Sequence, residues 1–141
     1  MCKRGVRSRL GLMVLGALIA GPAFADPCEG RLPRREGTEF GGVVRYVGDG
    51  DSLCVGASEE PGAWIEVRLA DFDAPELGTP PGKQAKTIAE EVLKNEPISC
   101  TVVRGRSGRT TSFDRVFALC RVDGRAVGDL MKEAGAPIGG N

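Results

Sequence analysis

Between the third and fourth of five strand-like runs stands one long helical stripe, and that order limits the possible folds more than any other feature of the chain. The runs are FGGVVRYV (40–47), SLCVG (52–56), WIEVRLA (64–70), ISCTVVRG (98–105) and FDRVFALCRV (113–122). In the third, Ile65, Val67 and Leu69 alternate with Glu66 and Arg68, which predicts a strand with one wet face. Gly41-Gly42 permits a sharp bend in the first run, and GDGD (48–51) turns it into the second as a hairpin. Across Lys83–Leu93, Ala85, Ile88, Ala89, Val92 and Leu93 share one helical face. The preceding LGTPPGK reads as a loop. AVGDLMKEAG (126–135) predicts a short second helix with Val127, Leu130, Met131 and Ala134 on one side and Gly135 as its stop. No internal repeat appears. Five strands with a helix between the third and fourth fit an α+β fold, a small closed barrel of the OB type with two helices.

Residues 1–25 have a different character. Lys3, Arg4, Arg7 and Arg9 precede an apolar run from Leu10 to Ala20, and Ala23-Phe24-Ala25 is a small-x-small cleavage pattern. This reads as a secretory signal peptide, too short and wrongly flanked for a membrane anchor. The expected organisation is a signal peptide (1–25), an irregular lead-in (26–39), one domain (40–137) and a C-terminal tail (138–141). Without the four leader cations, 15 Lys and Arg stand against 19 Asp and Glu, a net charge of −4. Such a chain does not hold nucleic acid by broad positive charge, so any phosphate contact must come from a few placed arginines. The expected location is exported, either periplasmic or secreted, with no membrane attachment after leader removal.

Four cysteines remain in that exported chain, Cys28, Cys54, Cys100 and Cys120. An even number in an oxidising compartment suggests disulfides, with three possible connectivities. Cys100 and Cys120 lie in two strand-like runs joined by a polar turn and can face one another, which favours Cys100–Cys120 and leaves Cys28–Cys54 by elimination. Closing a loop of the first size is worth about 3 kcal/mol on a chain-entropy argument. None of the spacings is C-x-x-C, and the chain contains no histidine. A histidine general base, a Ser-His-Asp triad and a histidine-containing zinc site are therefore excluded.

Two acidic clusters remain to be explained, Asp49-Gly50-Asp51 in the first hairpin and Asp71, Asp73 and Glu76 after the third run. In an antiparallel meander the end of the third strand lies beside the start of the second, so the clusters are expected to converge on one rim. Converging carboxylates repel unless a cation sits among them, and oxygen-only donors suit Ca²⁺ or Mg²⁺. Two or three carboxylates do not fill a calcium shell of roughly six to eight oxygens. Water, a backbone carbonyl and a substrate phosphate would have to complete it. Arg68 and Arg115 carry flat, permanent charges suited to phosphate oxygens. Metal, carboxylate and two arginines at one mouth make a site for cleaving phosphate diesters.

The ordered set DGDS, VRLADFDAPE, a Lys/Ala/Glu-rich helix, SFDR-VFAL and DGR-AVGDLM resembles the staphylococcal-nuclease (thermonuclease) family over about residues 40–137. D-G-D alone is weak, but the ordered combination with R-L-x-x-x-D-x-P-E and a later strand-starting arginine is specific. The resemblance implies an OB-fold barrel with helices and a calcium-dependent endonuclease. It implies Asp51 and Asp73 as calcium carboxylates, the Ala74 backbone carbonyl as a further ligand and Asp49 in support. It implies Glu76 as the general base, and Arg68 and Arg115 as the residues that grip the scissile phosphate. Pro75 would then fix Asp73 and Glu76 toward one pocket. Apart from the resemblance, Arg104, Arg106 and Arg109 form a local basic patch, which would either guide a nucleic-acid backbone or be simply a solvated hairpin loop.

The family pattern D-x-Y-G-R is here TSFDR (111–115), so an acidic Asp114 stands next to Arg115, where it would pair with or redirect it. The family's further strand and third helix, with base-contacting aromatics, have no counterpart after GAPIGGN. The expected function is an exported, monomeric, Ca²⁺-dependent endonuclease acting on DNA, RNA or both. The competing expectation is a catalytically impaired module of the same fold that binds nucleic acid, an anionic ligand or a protein. Glu76 discriminates them, because hydrolysis needs it and simple binding does not.

Overall fold

The computed structural model describes residues 26–139; the leader read from residues 1–25 lies outside the described residues. Seven strands follow in order: β1 (Glu39–Asp49), β2 (Ser52–Gly56), β3 (Ile65–Leu69), β4 (Pro97–Val102), β5 (Thr111–Ser112), β6 (Arg115–Val122) and β7 (Arg125–Ala126). Helix α1 (Pro80–Leu93) lies between β3 and β4, and α2 (Val127–Glu133) follows β7. β1, β2 and β3 form an antiparallel meander. β1 also pairs with β4, and β4 with β6. β6 then runs parallel to β3, from Val67↔Val116 to Leu69↔Ala118. β1, β2, β3, β6 and β4 thereby close into a five-stranded barrel of OB type, with two helices.

Closure requires β1 to serve two neighbours. Its residues 39–43 pair with β4 and residues 43–49 with β2. The handover falls at Val43, next to Gly42, whose φ of +153° and whose closeness to Gly56 (2.4 Å from an added β-carbon) admit no side chain. Inward residues fill the barrel: Val44, Val47, Leu53, Val55, Val67, Leu69, Val102, Val116 and Ala118 are all buried. Such branched and small side chains suit a narrow pleated interior.

α1 begins earlier than its apolar stripe predicts. Thr79 caps it by accepting a hydrogen bond from Gly82 N at 3.2 Å, and Pro80 and Pro81 occupy the first turn. Proline is favoured there because those positions need no N–H partner. Ala85, Ala89 and Leu93 are buried against β1, with Ile88 and Val92 partly so. In α2, Val127 and Met131 are buried and Leu130 half-buried, but Ala134 is exposed and Gly128 is the third buried residue. Gly135 (φ +78°) ends that helix: Ala136 N donates to Met131 O and Gly135 N to Lys132 O.

Both disulfides form, Cys28–Cys54 and Cys100–Cys120. The second joins directly paired residues of β4 and β6. The first ties the lead-in across the outer face of β2 and β3, helped by Gly30 N donating to Trp64 O at 2.8 Å. This cover corrects the sequence expectation for β3, since Glu66 on the supposed wet face is only 6% exposed. Two disulfides fit an oxidising compartment. Among the described residues no helix is long and apolar enough to cross a membrane.

Candidate functional site

The two acidic segments meet because β2 and β3 are antiparallel. Ser52 lies opposite Arg68, and Leu69 N donates to Asp51 O at 2.8 Å. Within the hairpin, Asp51 N donates to Asp49 Oδ1 at 3.0 Å, a short-range turn that Asp forms readily. Gly50 lets this hairpin seat against its neighbours, for a β-carbon there would lie 2.7 Å from those of Ala74 and Ala85. Asp51 Oδ2 then accepts a hydrogen bond from Ala74 N at 2.7 Å. One bond thus locks the turn onto the segment that follows β3.

Arg68 organises the centre. Its Nη1 donates to Leu69 O and Phe72 O, while Nη2 donates to Asp73 Oδ1 at 2.8 Å and lies 3.1 Å from Asp51 Oδ2. Two carboxylate oxygens, one from the β1–β2 turn and one from the segment after β3, therefore converge on the Arg68 guanidinium. The donors around that point are oxygens only, of the type that suits a hard divalent cation. Among the described residues no group of three or more His, Cys, Asp or Glu is arranged to hold a metal. Asp51 and Asp73 consequently fit such an ion only as a partial shell, with water and substrate oxygens completing it. The Ala74 carbonyl is partly screened, since a β-carbon on Gly139 would lie 2.5 Å from it.

These groups line a cavity of about 610 Å³ together with Asp49, Glu76, Pro75 and Arg115. Glu76 is exposed on its wall. Its backbone is fixed by bonds from Thr79 N (3.0 Å) and Thr79 Oγ1 (2.6 Å) to Glu76 O. Arg115 enters from the start of β6 and donates from Nη1 to Ser52 Oγ at 2.9 Å. Ser52 is buried and holds this arginine toward the cavity, so Asp114 does not take it away. Ser52 was legible only as the first residue of the second strand; its position opposite Arg68 is what gives it this contact.

Not every acid of the cluster joins the rim. Asp71 turns to the opposite side, where its Oδ2 accepts a hydrogen bond from Gly128 N at 3.0 Å at the start of α2. The tight approach leaves Gly128 no room for a β-carbon. Asp71 is thus a link between barrel and helix, and the expectation that all three acids converge is corrected for it. From the C-terminal side, Ile138 and Gly139 also line the cavity, and Gly139 N donates to Asp73 O at 2.7 Å.

The three arginines of the basic loop separate in role. Arg104 pairs with Glu36 at 2.7 Å and donates to Gly108 O. Arg106 reaches the rim, where Nη2 lies 2.7 Å from Asp73 Oδ2. Arg109 donates its backbone N–H to Ser107 Oγ. Sequence spacing gave no sign of the Arg106–Asp73 contact, which bridges 33 positions.

Two acids titrate far from their ordinary range. Burial pushes the Asp51 carboxyl up to about 7, with Asp49 adding to the rise, against the Ala74 N–H and Arg68. Burial likewise raises Glu66 to about 7, with Asp114 and Asp26 adding to it and Arg115 opposing. Arg115 thus lies near enough to Glu66 to favour its charged form while it also lines the cavity.

The fold and this rim define a closed five-stranded barrel with a charged, oxygen-rich cavity where β1–β2, the β3 end and β6 meet. The chain matches no protein-family model and no curated protein.

Proposed function

We propose that this protein is an exported, Ca²⁺-dependent endonuclease that hydrolyses phosphodiester bonds in DNA, RNA or both, similar to staphylococcal nucleases. The observation that carries the reading is the convergence of Asp51 Oδ2 and Asp73 Oδ1 on a single cationic point, in the one cavity that Glu76 and Arg115 also line. The resemblance of DGDS, VRLADFDAPE and the later Arg115 supports it independently. Export is supported by the leader pattern in residues 1–25 and by the two disulfides.

In this reading Asp51 and Asp73 would hold the cation with Asp49 in support, and the ion would offset the negative charge on the phosphoryl oxygens. Glu76 accepts a proton from the attacking water as the water oxygen bonds to phosphorus and the ester P–O bond breaks, the leaving oxygen departing as the alcohol with a proton from solvent water. Arg115, oriented by Ser52, donates to the phosphoryl oxygens as charge builds on them. Arg68 keeps Asp51 and Asp73 aligned and adds its charge next to the phosphate.

A second reading has its own support: Arg68 engages four oxygens of its own segment and of Asp51. An arginine so occupied suits a binding module of the same fold. The deciding experiment incubates the oxidised wild type and Glu76→Gln with single-stranded DNA and RNA, in Ca²⁺ or EDTA. The nuclease reading expects cleavage in Ca²⁺ alone, reduced at least 100-fold by the substitution, as for loss of a general base. Absence of cleavage with nucleic acid still bound by the wild type would establish the binding module instead.

A further inference from the structure

We infer that Arg106 is a third phosphate-binding arginine, stored on Asp73 in the free protein and transferred to a substrate phosphate beside the scissile one. The inference rests on the nuclease reading above and extends it to a residue outside the matched motifs.

The loop that carries Arg106 is pinned on both sides. Val103 N donates to Phe117 O at 3.0 Å, and Gly105 packs on the Phe117 ring, so closely that a β-carbon would lie 2.6 Å from it. Phe117 is the parallel-register partner of Arg68. Gly105 N donates to Arg109 O and Gly108 N to Gly105 O, which closes the turn. Thr110 Oγ1 donates to Arg34 O at 2.7 Å, and Arg104 is held by Glu36. With its neighbours so anchored, Arg106 projects from the tip to the rim.

Asp73 is thereby shared between two arginines of unlike character. Arg68 holds Oδ1 from a side chain 19% exposed, and Arg106 holds Oδ2 from one 77% exposed. An ion pair that open to water is worth little and is easily exchanged. With every carboxyl ionised, as a bound cation favours, the cavity's Asp49, Asp51, Asp73 and Glu76 outnumber Arg68 and Arg115 by two charges. A divalent cation balances that excess, and a phosphodiester then brings one further negative charge. Arg106, displaced from Asp73 by the cation, supplies the matching positive charge through a planar fork suited to phosphate oxygens. One residue thus competes with the cation and recruits the substrate.

The test compares wild type, Arg106→Gln and Arg121→Gln. Arg121 bonds to Gly124 O away from the cavity and controls for the loss of one positive charge. Ca²⁺ alone is titrated by calorimetry. A labelled single-stranded oligodeoxynucleotide is then titrated in saturating Ca²⁺, with Glu76→Gln in every protein to prevent cleavage. Arg106→Gln should bind Ca²⁺ about threefold more tightly than Arg121→Gln, as expected of removing one exposed competitor. It should bind the oligonucleotide about fivefold more weakly, with a log–log salt slope shallower by about 0.7. Equal Ca²⁺ affinity in the two variants, or unchanged oligonucleotide binding, would overturn the transfer. If that result accompanies Ca²⁺-dependent cleavage by the wild type, the nuclease reading stands alone; if the wild type neither binds Ca²⁺ nor cleaves, both fall.

Discussion

Glu66 is a carboxylate under cover, with Asp26 and Asp114 nearby and Arg115 as its favourable charge. Its pKa of about 7 lies above the ordinary 4.5, so between those values the folded protein holds more protons than the unfolded chain. Stability must then fall as pH rises through this window. Glu66→Gln removes that penalty. In urea melts with EDTA it should be more stable than wild type by roughly 1–3 kcal/mol at pH 8, after allowing for solvent screening, and nearly equal at pH 4. A difference independent of pH would refute the burial argument. Asp51 shifts in the same direction, so the variant should lose part of the pH slope and keep the rest. None of this was legible in β3 itself. Alternation correctly sets Val67 and Leu69 inward, but what covers Glu66 is the lead-in, whose position depends on a disulfide formed 26 residues apart. Asp71 and Asp73 show the same limit, because the segment beyond β3 has no period from which to tell which acid faces the rim.

Helix α1 places Glu76 through a contact at its first turn. An added β-carbon on Gly82 would lie 1.9 Å from Glu76 O and 2.9 Å from Pro75 O. In a free helix, Gly→Ala is stabilising by about 1 kcal/mol. Here the methyl must push the Pro75–Thr79 segment away, and overpacking of this kind costs about 1–3 kcal/mol. Gly82→Ala should therefore destabilise the protein despite the better propensity, and displace Glu76 from the cavity. Chemical denaturation reads the first effect; on the proposed nuclease reading, a fall in kcat for Ca²⁺-dependent cleavage larger than the change in KM reads the second. Stabilisation by the substitution would show that the segment yields freely. The helix itself was plain from Ala85, Ala89 and Leu93, because its buried face is periodic. Its true start was hidden because Pro80-Pro81 suits both a loop and a first turn; Thr79 ahead of them is the signal that distinguishes these.

Across the whole molecule, the strand order could be read from the chain because turns and alternation are local. The parallel closure of β3 on β6 also follows once a five-stranded barrel must have no open edge. The rim partners are different in kind: Arg106 with Asp73, Ser52 with Arg115 and the lead-in over Glu66 all join segments distant in sequence. Their meeting depends on closure of the barrel and on what the disulfides then tie to it. Cys100–Cys120 reinforces strands already paired, whereas Cys28–Cys54 fastens a segment without helix or strand across β2. Removing the latter with Cys28→Ala and Cys54→Ala should cost about 3–4 kcal/mol by loop closure. It should also admit water to Glu66, lower its pKa toward the ordinary value and flatten the decline of stability between pH 5 and pH 8. Urea melts of the oxidised proteins at those two pH values measure both effects at once. A uniform loss with the pH slope intact would mean that Gly30 and its bond to Trp64 keep the cover in place without the disulfide.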